Sequence, residues 1–237
     1  MKRIYILLLS SFLCIFIVSM CLTDNFDDSK TVVSSENISK RYPTIVLDSG
    51  HGGEDGGATS LLGDYEKDIN LDICLTLEKL LIQGGYNVKT IRNTDISVHD
   101  DSAKTTRERK VSDIHNRVKI ANSDKNNILV SIHQNHFSES KYFGTQVFYS
   151  KNSANSQILA ENIREAVTSL LQPENTRKCK ESSDVYLLDN VTVPAVIVEC
   201  GFLSNYDEAY LLSKADYRDN MAYSIYLGIV EYIYLNY

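Results

Sequence analysis

The chain has 237 residues, 43% hydrophobic and 23% charged, with 11 Gly, 3 Pro and no low-complexity run. This is the profile of one ordinary globular domain and excludes a disordered or fibrous protein. Its 24 Lys and Arg stand against 31 Asp and Glu, a net charge of −7, so no overall field draws a polyanion and nucleic acid is not an expected partner. The five cysteines, Cys14, Cys21, Cys74, Cys179 and Cys200, lack both the Cys-x-x-Cys spacing of a zinc or redox site and the density of a disulfide scaffold. Any metal would fall to histidines and carboxylates.

The chain opens with Met1-Lys2-Arg3, followed by an almost purely apolar run from Ile4 to Leu22. A charged start before an apolar stretch is the pattern of an export signal. The length of the run falls between a cleaved signal peptide and a spanning anchor, so residues 1–23 are read as either one. A lipidated Cys21 is disfavoured by the bulk of Met20. With Lys2 and Arg3 on the cytoplasmic side, everything after Leu22 is expected across the membrane, membrane-anchored through this segment or secreted. Residues 24–41 are rich in Ser, Asp, Asn and Lys without apolar period and read as a flexible tether. The folded, catalytic domain is expected over residues 42–237.

From there short β-branched runs alternate with longer stretches of helical period, which predicts an α/β fold: a mixed, mostly parallel central sheet of about six strands flanked by helices. Strands are expected at Thr44 to Asp48, Asn87 to Arg92, Ile128 to His133, Thr145 to Tyr149, Val185 to Leu188 and Ala195 to Glu199. Ile69, Ile73, Leu77 and Leu80 or Leu81 line one face of a helix that stops at Gly84-Gly85. Leu159, Ile163, Val167 and Leu170 mark a second helix, closing before Pro173. Met221, Ile225, Ile229 and Tyr232 mark the last. The Asp-rich stretch Ser97 to Thr106 reads as a surface loop ahead of a charged helix, Arg107 to Asn122. Tyr223, Tyr226, Tyr232, Tyr234 and Tyr237 are expected to pack in the core.

Chemistry-bearing residues gather at strand ends. Asp48-Ser49-Gly50-His51-Gly52-Gly53 follows the first strand, where open α/β sheets place ligands. A phosphate-cradling loop is ruled out by order: a G-x-G-x-x-G frame beginning at Gly50 needs Gly at 55, where Asp55 stands, and no Walker lysine follows. Glycines flanking His51 on a tight turn instead free the backbone to aim the imidazole into a cleft. His133 ends the run Ile128-Leu129-Val130-Ser131-Ile132, and Glu199 ends Pro194-Ala195-Val196-Ile197-Val198. Glu66 opens the first long helix, where its charge suits the helix dipole whether or not it has another role. Two imidazoles and one carboxylate form the His₂Glu set of a catalytic zinc with an open fourth position, leaving the other glutamate to handle protons.

These strings resemble the zinc-dependent N-acetylmuramoyl-L-alanine amidases. DSGHGGEDGGA is similar to the family's D-x-G-H-G-G-x-D-x-G-A opening and EKDINLDI to its glutamate-bearing helix start. SIHQNH is similar to its S-x-H-x-N element and PAVIVECGFLSN to its closing glutamate motif. Carried over residue by residue, the resemblance implies one Zn²⁺ held by His51, Glu66 and His133, with Glu199 as catalytic base. Two departures stand out: Ser49 where the family commonly has Pro, and Gln134 and His136 around Asn135 where small residues are common.

Within the family, the length, the single hydrophobic segment, the lack of a wall-binding repeat and the stretch RERKVSDIHNRVKIAN resemble the members that act on spore cortex. That implies removal of stem peptides from peptidoglycan between the forespore membranes, a step toward muramic-δ-lactam and germination. A helix that plugs the cleft in many relatives has no room between His133 and the next strand, which leaves control to timing, to the substrate or to an activating protein partner. Asn135 and Arg177 are candidate substrate contacts. His99, His115, Arg107, Arg109 and Arg117 read as solvated surface, and Asn70 and Asn205 as scaffold beside the site. A wall-binding relative without activity and a different zinc peptidase of the wall are the competing readings.

Overall fold

The computed structural model describes residues 42–237; the export segment and tether expected over residues 1–41 lie outside the described residues. Strands β1 (Thr44–Ser49), β2 (Asn87–Thr90), β3 (Asn127–Asn135), β4 (Gln146–Tyr149), β5 (Lys180–Glu181) and β6 (Ala195–Phe202) form one sheet in the order β2-β1-β3-β6-β4-β5. Pairing is parallel throughout except between β4 and β6, which makes the sheet mixed and mostly parallel, as expected. Helices α1 (Glu66–Gln83), α2 (Thr106–Ala121), α3 (Ala154–Leu170), α4 (Tyr186–Asn190), α5 (Tyr206–Leu212) and α6 (Ala215–Asn236) complete the domain.

Both faces of the sheet are covered, which is why its central strands are apolar at successive positions. Ile45, Leu47, Ile128, Val130, Ile132, Val196 and Val198 pack against α1, α3 and α6. The alternate residues Val46, Leu129, Ala195 and Ile197 pack toward α2 and α4. The two-residue period then carries His133 and Glu199 to the α2 side, in phase with Leu129 and Ile197. Ile69, Ile73, Leu77 and Leu81 of α1 are buried as their spacing requires, and α1 stops at Gly84, followed by Gly85 at φ 82°. Met221, Ile225, Ile229 and Tyr232 of α6 are buried likewise.

Three expectations are corrected. Val185 to Leu188 is not a strand: Asp184 turns the chain at φ 66° and the run becomes α4. Four apolar residues carry no period that separates strand from helix, and Val185 alone among them is β-branched. The fifth strand is instead the exposed polar pair Lys180–Glu181, which has no hydrophobic signature at all. Leu170, placed on the apolar face of α3, closes the helix at 56% exposure. Among the late tyrosines only Tyr232 is fully buried, while Tyr223 and Tyr234 are exposed.

Helices α3 and α6 meet at Gly228, where a Cβ would lie 2.5 Å from Ile163 Cα and 2.8 Å from the Asn162 carbonyl. Gly228→Val should therefore force the helices apart and lower stability by about 1–3 kcal/mol. Denaturant unfolding measures it, and an unchanged midpoint would show that the contact is slack.

Candidate functional site

The site begins where β1 ends. His51 sits in the left-handed region at φ 62°, a conformation that costs a non-glycine residue of order 1–3 kcal/mol, followed by Gly52 at φ 135° and Gly53 at φ 59°. Glycine at position 50 is required by packing, since a Cβ there would stand 2.2 Å from the His133 ring. At Gly57 a Cβ would reach Glu66 Oε2 at 2.5 Å and His51 Cδ2 at 2.8 Å. The glycines thus give space to the functional side chains as well as freedom to the backbone.

Strand register brings the next groups together. His133 on β3 lies directly beside Glu199 on β6, with Ser49 of β1 beside Ile132. Glu66, the first residue of α1, reaches in from the other side. His51 Nε2 lies 3.2 Å and His133 Nδ1 3.0 Å from Glu66 Oε1. One donor atom from each of His51, Glu66 and His133 falls within 4.8 Å of the others, a group able to hold a metal ion. The donor set fits: two imidazoles and a carboxylate converge, and the remaining nitrogen of His51 is oriented by Asp55 Oδ2 at 2.8 Å, as metal-binding histidines usually are. The Ala58 amide donates to Glu66 Oε2 at 2.9 Å, and the Gln134 amide to Oε1 at 3.1 Å. Burial would raise the Glu66 pKa, but His133 and His51 outweigh it and hold the carboxyl well below its usual range.

Glu199 differs in kind. Its Oε2 is buried and makes no hydrogen bond among the described residues. Burial pushes its pKa up to about 7; His133 and His51 oppose the rise and Glu66 adds to it. A carboxyl so placed can hold a proton, or release it, near neutrality.

A cleft of about 770 Å³ opens beside these groups, walled by His51 and His133, floored by Ile114 and Ile197 and rimmed by Lys104 and Arg109. His99, expected in solvent, also lines it, half-buried, with Nδ1 2.8 Å from Ser97 Oγ. Arg117 is a larger correction. It is 3% exposed, ion-paired to Asp48 and to Asp113, because one face of the charged helix α2 turns inward at that position. Arg109 lies half-buried against Glu54. Arg107 and His115 are exposed as expected; His136 is exposed too and stays outside the metal-binding group.

Asn70 donates to the Gly50 carbonyl at 3.2 Å, and Asn205 caps α5 through the Glu208 amide, so both are scaffold. Asn135 and Arg177 do not line the cleft. Asn135 lies beyond a bulge in β3. Arg177 stacks 4.6 Å over the Phe202 ring and donates to the Phe143 carbonyl at 2.7 Å. The sequence reading missed Asp55 and Arg92. Asp55 could have been found four residues after His51 on the same loop, whereas Arg92 carries no local signal.

The profile of the family described as N-acetylmuramoyl-L-alanine amidase matches residues 45–231. The germination-specific N-acetylmuramoyl-L-alanine amidase of Bacillus subtilis is 38% identical over 190 residues, covering 79% of this chain and 78% of that one. Among solved structures, the CwlD amidase from Clostridioides difficile, in complex with the GerS lipoprotein, is 40% identical with a TM-score of 0.78. That match covers 82% of this chain and 100% of the other. An N-acetylmuramoyl-L-alanine amidase from Clostridium difficile 630 is 26% identical with a TM-score of 0.71, over 83% and 99% of the two chains.

The His51 pair makes a pH prediction for protein held metal-free by a chelator. Burial disfavours the imidazolium, yet bonds to Asp55 and Glu66 more than compensate and raise the pKa from 6.5 to about 9. A folded value above the unfolded one stabilises fully below about pH 6.5, and the stabilisation fades as pH rises through about 9. Urea unfolding of the wild type should lose stability across that window, and Asp55→Asn should shrink the loss. Equal losses in the two proteins would remove the His51–Asp55 pair from the explanation.

Proposed function

The chain belongs to the N-acetylmuramoyl-L-alanine amidase family and is an enzyme of that class acting on peptidoglycan, and from this premise we propose a zinc-dependent amidase of the spore cortex. His51, Glu66 and His133 hold the ion, and Glu199 is the catalytic residue. The observation that carries the reading is the convergence of the three donor atoms within 4.8 Å, with the buried carboxyl of Glu199 next to His133 in the register. When bound, zinc supplies a Lewis acid that acidifies water and polarises an amide carbonyl.

The rest falls to the side chains. Glu199 takes a proton from the water that attacks the lactyl carbonyl of muramic acid. As the carbon–nitrogen bond breaks, it returns that proton to the amine of L-alanine, which cannot leave as an anion. The products are a free muramic carboxyl and a stem peptide with a free amino terminus. Asp55 holds the His51 ring in the tautomer that leaves Nε2 free toward Glu66 and His133. The cleft beside the triad accommodates substrate; Arg177 and Asn135, which lie outside it, are proposed to contact the part of the substrate that extends beyond the cleft.

The spore role rests on kinship with the germination-specific amidase of Bacillus subtilis. Stem removal leaves the muramic carboxyl that a later ring closure to muramic-δ-lactam needs. The enzyme acts outside the cytoplasm, between the forespore membranes, exported by its N-terminal segment and either anchored there or released. Because the CwlD relative was solved bound to a lipoprotein, an activating protein partner is part of the proposal.

Glu199→Gln should keep its zinc and lose turnover on peptidoglycan by about 10²–10⁴-fold, whereas Glu66→Ala should lose the metal itself. Metal analysis and stem-peptide release on the same samples separate the two roles. Activity in Glu199→Gln, or full zinc in Glu66→Ala, would refute the corresponding assignment. A spore-forming host deleted for this gene should make cortex devoid of muramic-δ-lactam, and normal lactam content would remove the cortex role.

A further inference from the structure

Two guanidinium groups are buried beneath the turn that carries His51. Arg92, just after β2, is 2% exposed and Arg117, on α2, is 3% exposed. Arg92 donates from Nε to the Ser49 carbonyl at 2.8 Å and from Nη2 to the Gly50 carbonyl at 3.0 Å and the Lys67 carbonyl at 2.8 Å. Arg117 donates from Nη1 to the Ser49 carbonyl at 2.9 Å and from Nη2 to the His51 carbonyl at 2.7 Å. Every carbonyl from Ser49 to His51 therefore receives a guanidinium N–H, and that of Ser49 receives two.

Stability alone is a poor account of this arrangement. Two like charges share one buried place with Asp48, and burying ionic groups is often no better for stability than apolar packing of the same volume. Burial first, and the charge of Arg117 next, lower the Arg92 pKa. What the pair does supply is geometry. A planar fork fixes carbonyl directions that a lysine, a single point donor, cannot. The carbonyls it fixes run up to the left-handed residue at φ 62°, the conformation the chain would otherwise leave.

We propose that Arg92 and Arg117 are positioning residues that lock the His51 turn in its left-handed form, so that His51 Nε2 already faces Glu66 and His133 before a metal binds. The proposal rests on the reading of His51 as a ligand. It makes the tightness of metal binding a property of two residues that lie outside the metal-binding group, one of them on the helix that walls the cleft.

The test uses the full chain, with zinc titrated against a chromophoric chelator and thermal unfolding followed in metal-free samples. Arg92→Lys and Arg117→Lys should each bind zinc about 10- to 100-fold more weakly than wild type. Their activity should recover at raised zinc, which a residue in proton transfer would not allow. Either variant, folded and binding zinc with wild-type affinity, overturns the proposal even if its melting temperature falls, since that is the mark of a purely structural role. Should Arg117→Lys fail to fold, Arg92→Lys decides, because it keeps the Arg117–Asp48 ion pair. His51→Ala is the control: loss of zinc there upholds the ligand assignment, and unchanged zinc affinity would overturn both that assignment and the clamp built on it.

Discussion

Parallel pairing of β1, β3 and β6 is the constraint from which the rest of this enzyme follows. Parallel neighbours end at the same edge of a sheet, so whatever follows each strand arrives beside whatever follows the next. Here the register sets Ser49 against Ile132 and His133 against Glu199. A slip of one residue in β6 would send Glu199 to the opposite face, into the apolar layer of α1, α3 and α6. The burial of Ile128, Val130, Val196 and Val198 on one face and Leu129, Ala195 and Ile197 on the other penalises that slip. Core packing and catalytic geometry are thus enforced by the same side chains.

The edge also carries features that work against folding. A histidine in the left-handed region, a carboxylate oxygen without a partner among the described residues, and an ionic cluster of Asp48, Arg117 and Asp113 all gather around the carboxyl ends of β1, β3 and β6. Each is unfavourable or neutral for stability. They lie beside the converging donor atoms of His51, Glu66 and His133 and the buried carboxyl of Glu199. Strain and unpaired polarity concentrate at the candidate site, and the buried apolar residues of the strands beneath provide the stability that tolerates them.

Legibility of the fold from sequence followed the strength of the physical signal. The central strands could be read because their apolar runs are β-branched and closed by a titratable residue, although β3 and β6 run on past His133 and Glu199 to Asn135 and Phe202. The helices α1 and α6 could be read because their apolar positions recur at helical spacing. The segment around residues 180–190 could not: β5 is two exposed polar residues, and α4 is entered from the apolar run Val185–Leu188, which is too short to show a period. His51, Glu66, His133 and Glu199 were found because they interrupt apolar runs or open an element. Arg117 was read as surface because α2 is charged on almost every turn, and nothing local marks the position that faces Asp48. Tyr232 and Tyr234 are two residues apart with opposite burial, a difference set by what α6 packs against and not by the residue type.

In the proposed mechanism the triad and Glu199 cut one bond, between muramic acid and L-alanine, and need zinc to do so. Mass spectrometry of peptidoglycan treated with the full chain, first with chelator and then with zinc restored, tests it most directly. Stem peptides with L-alanine at a free amino terminus, together with glycan bearing free muramic carboxyls, should appear only with zinc. Peptides cut between stem residues, or the same products with the metal withheld, would contradict it.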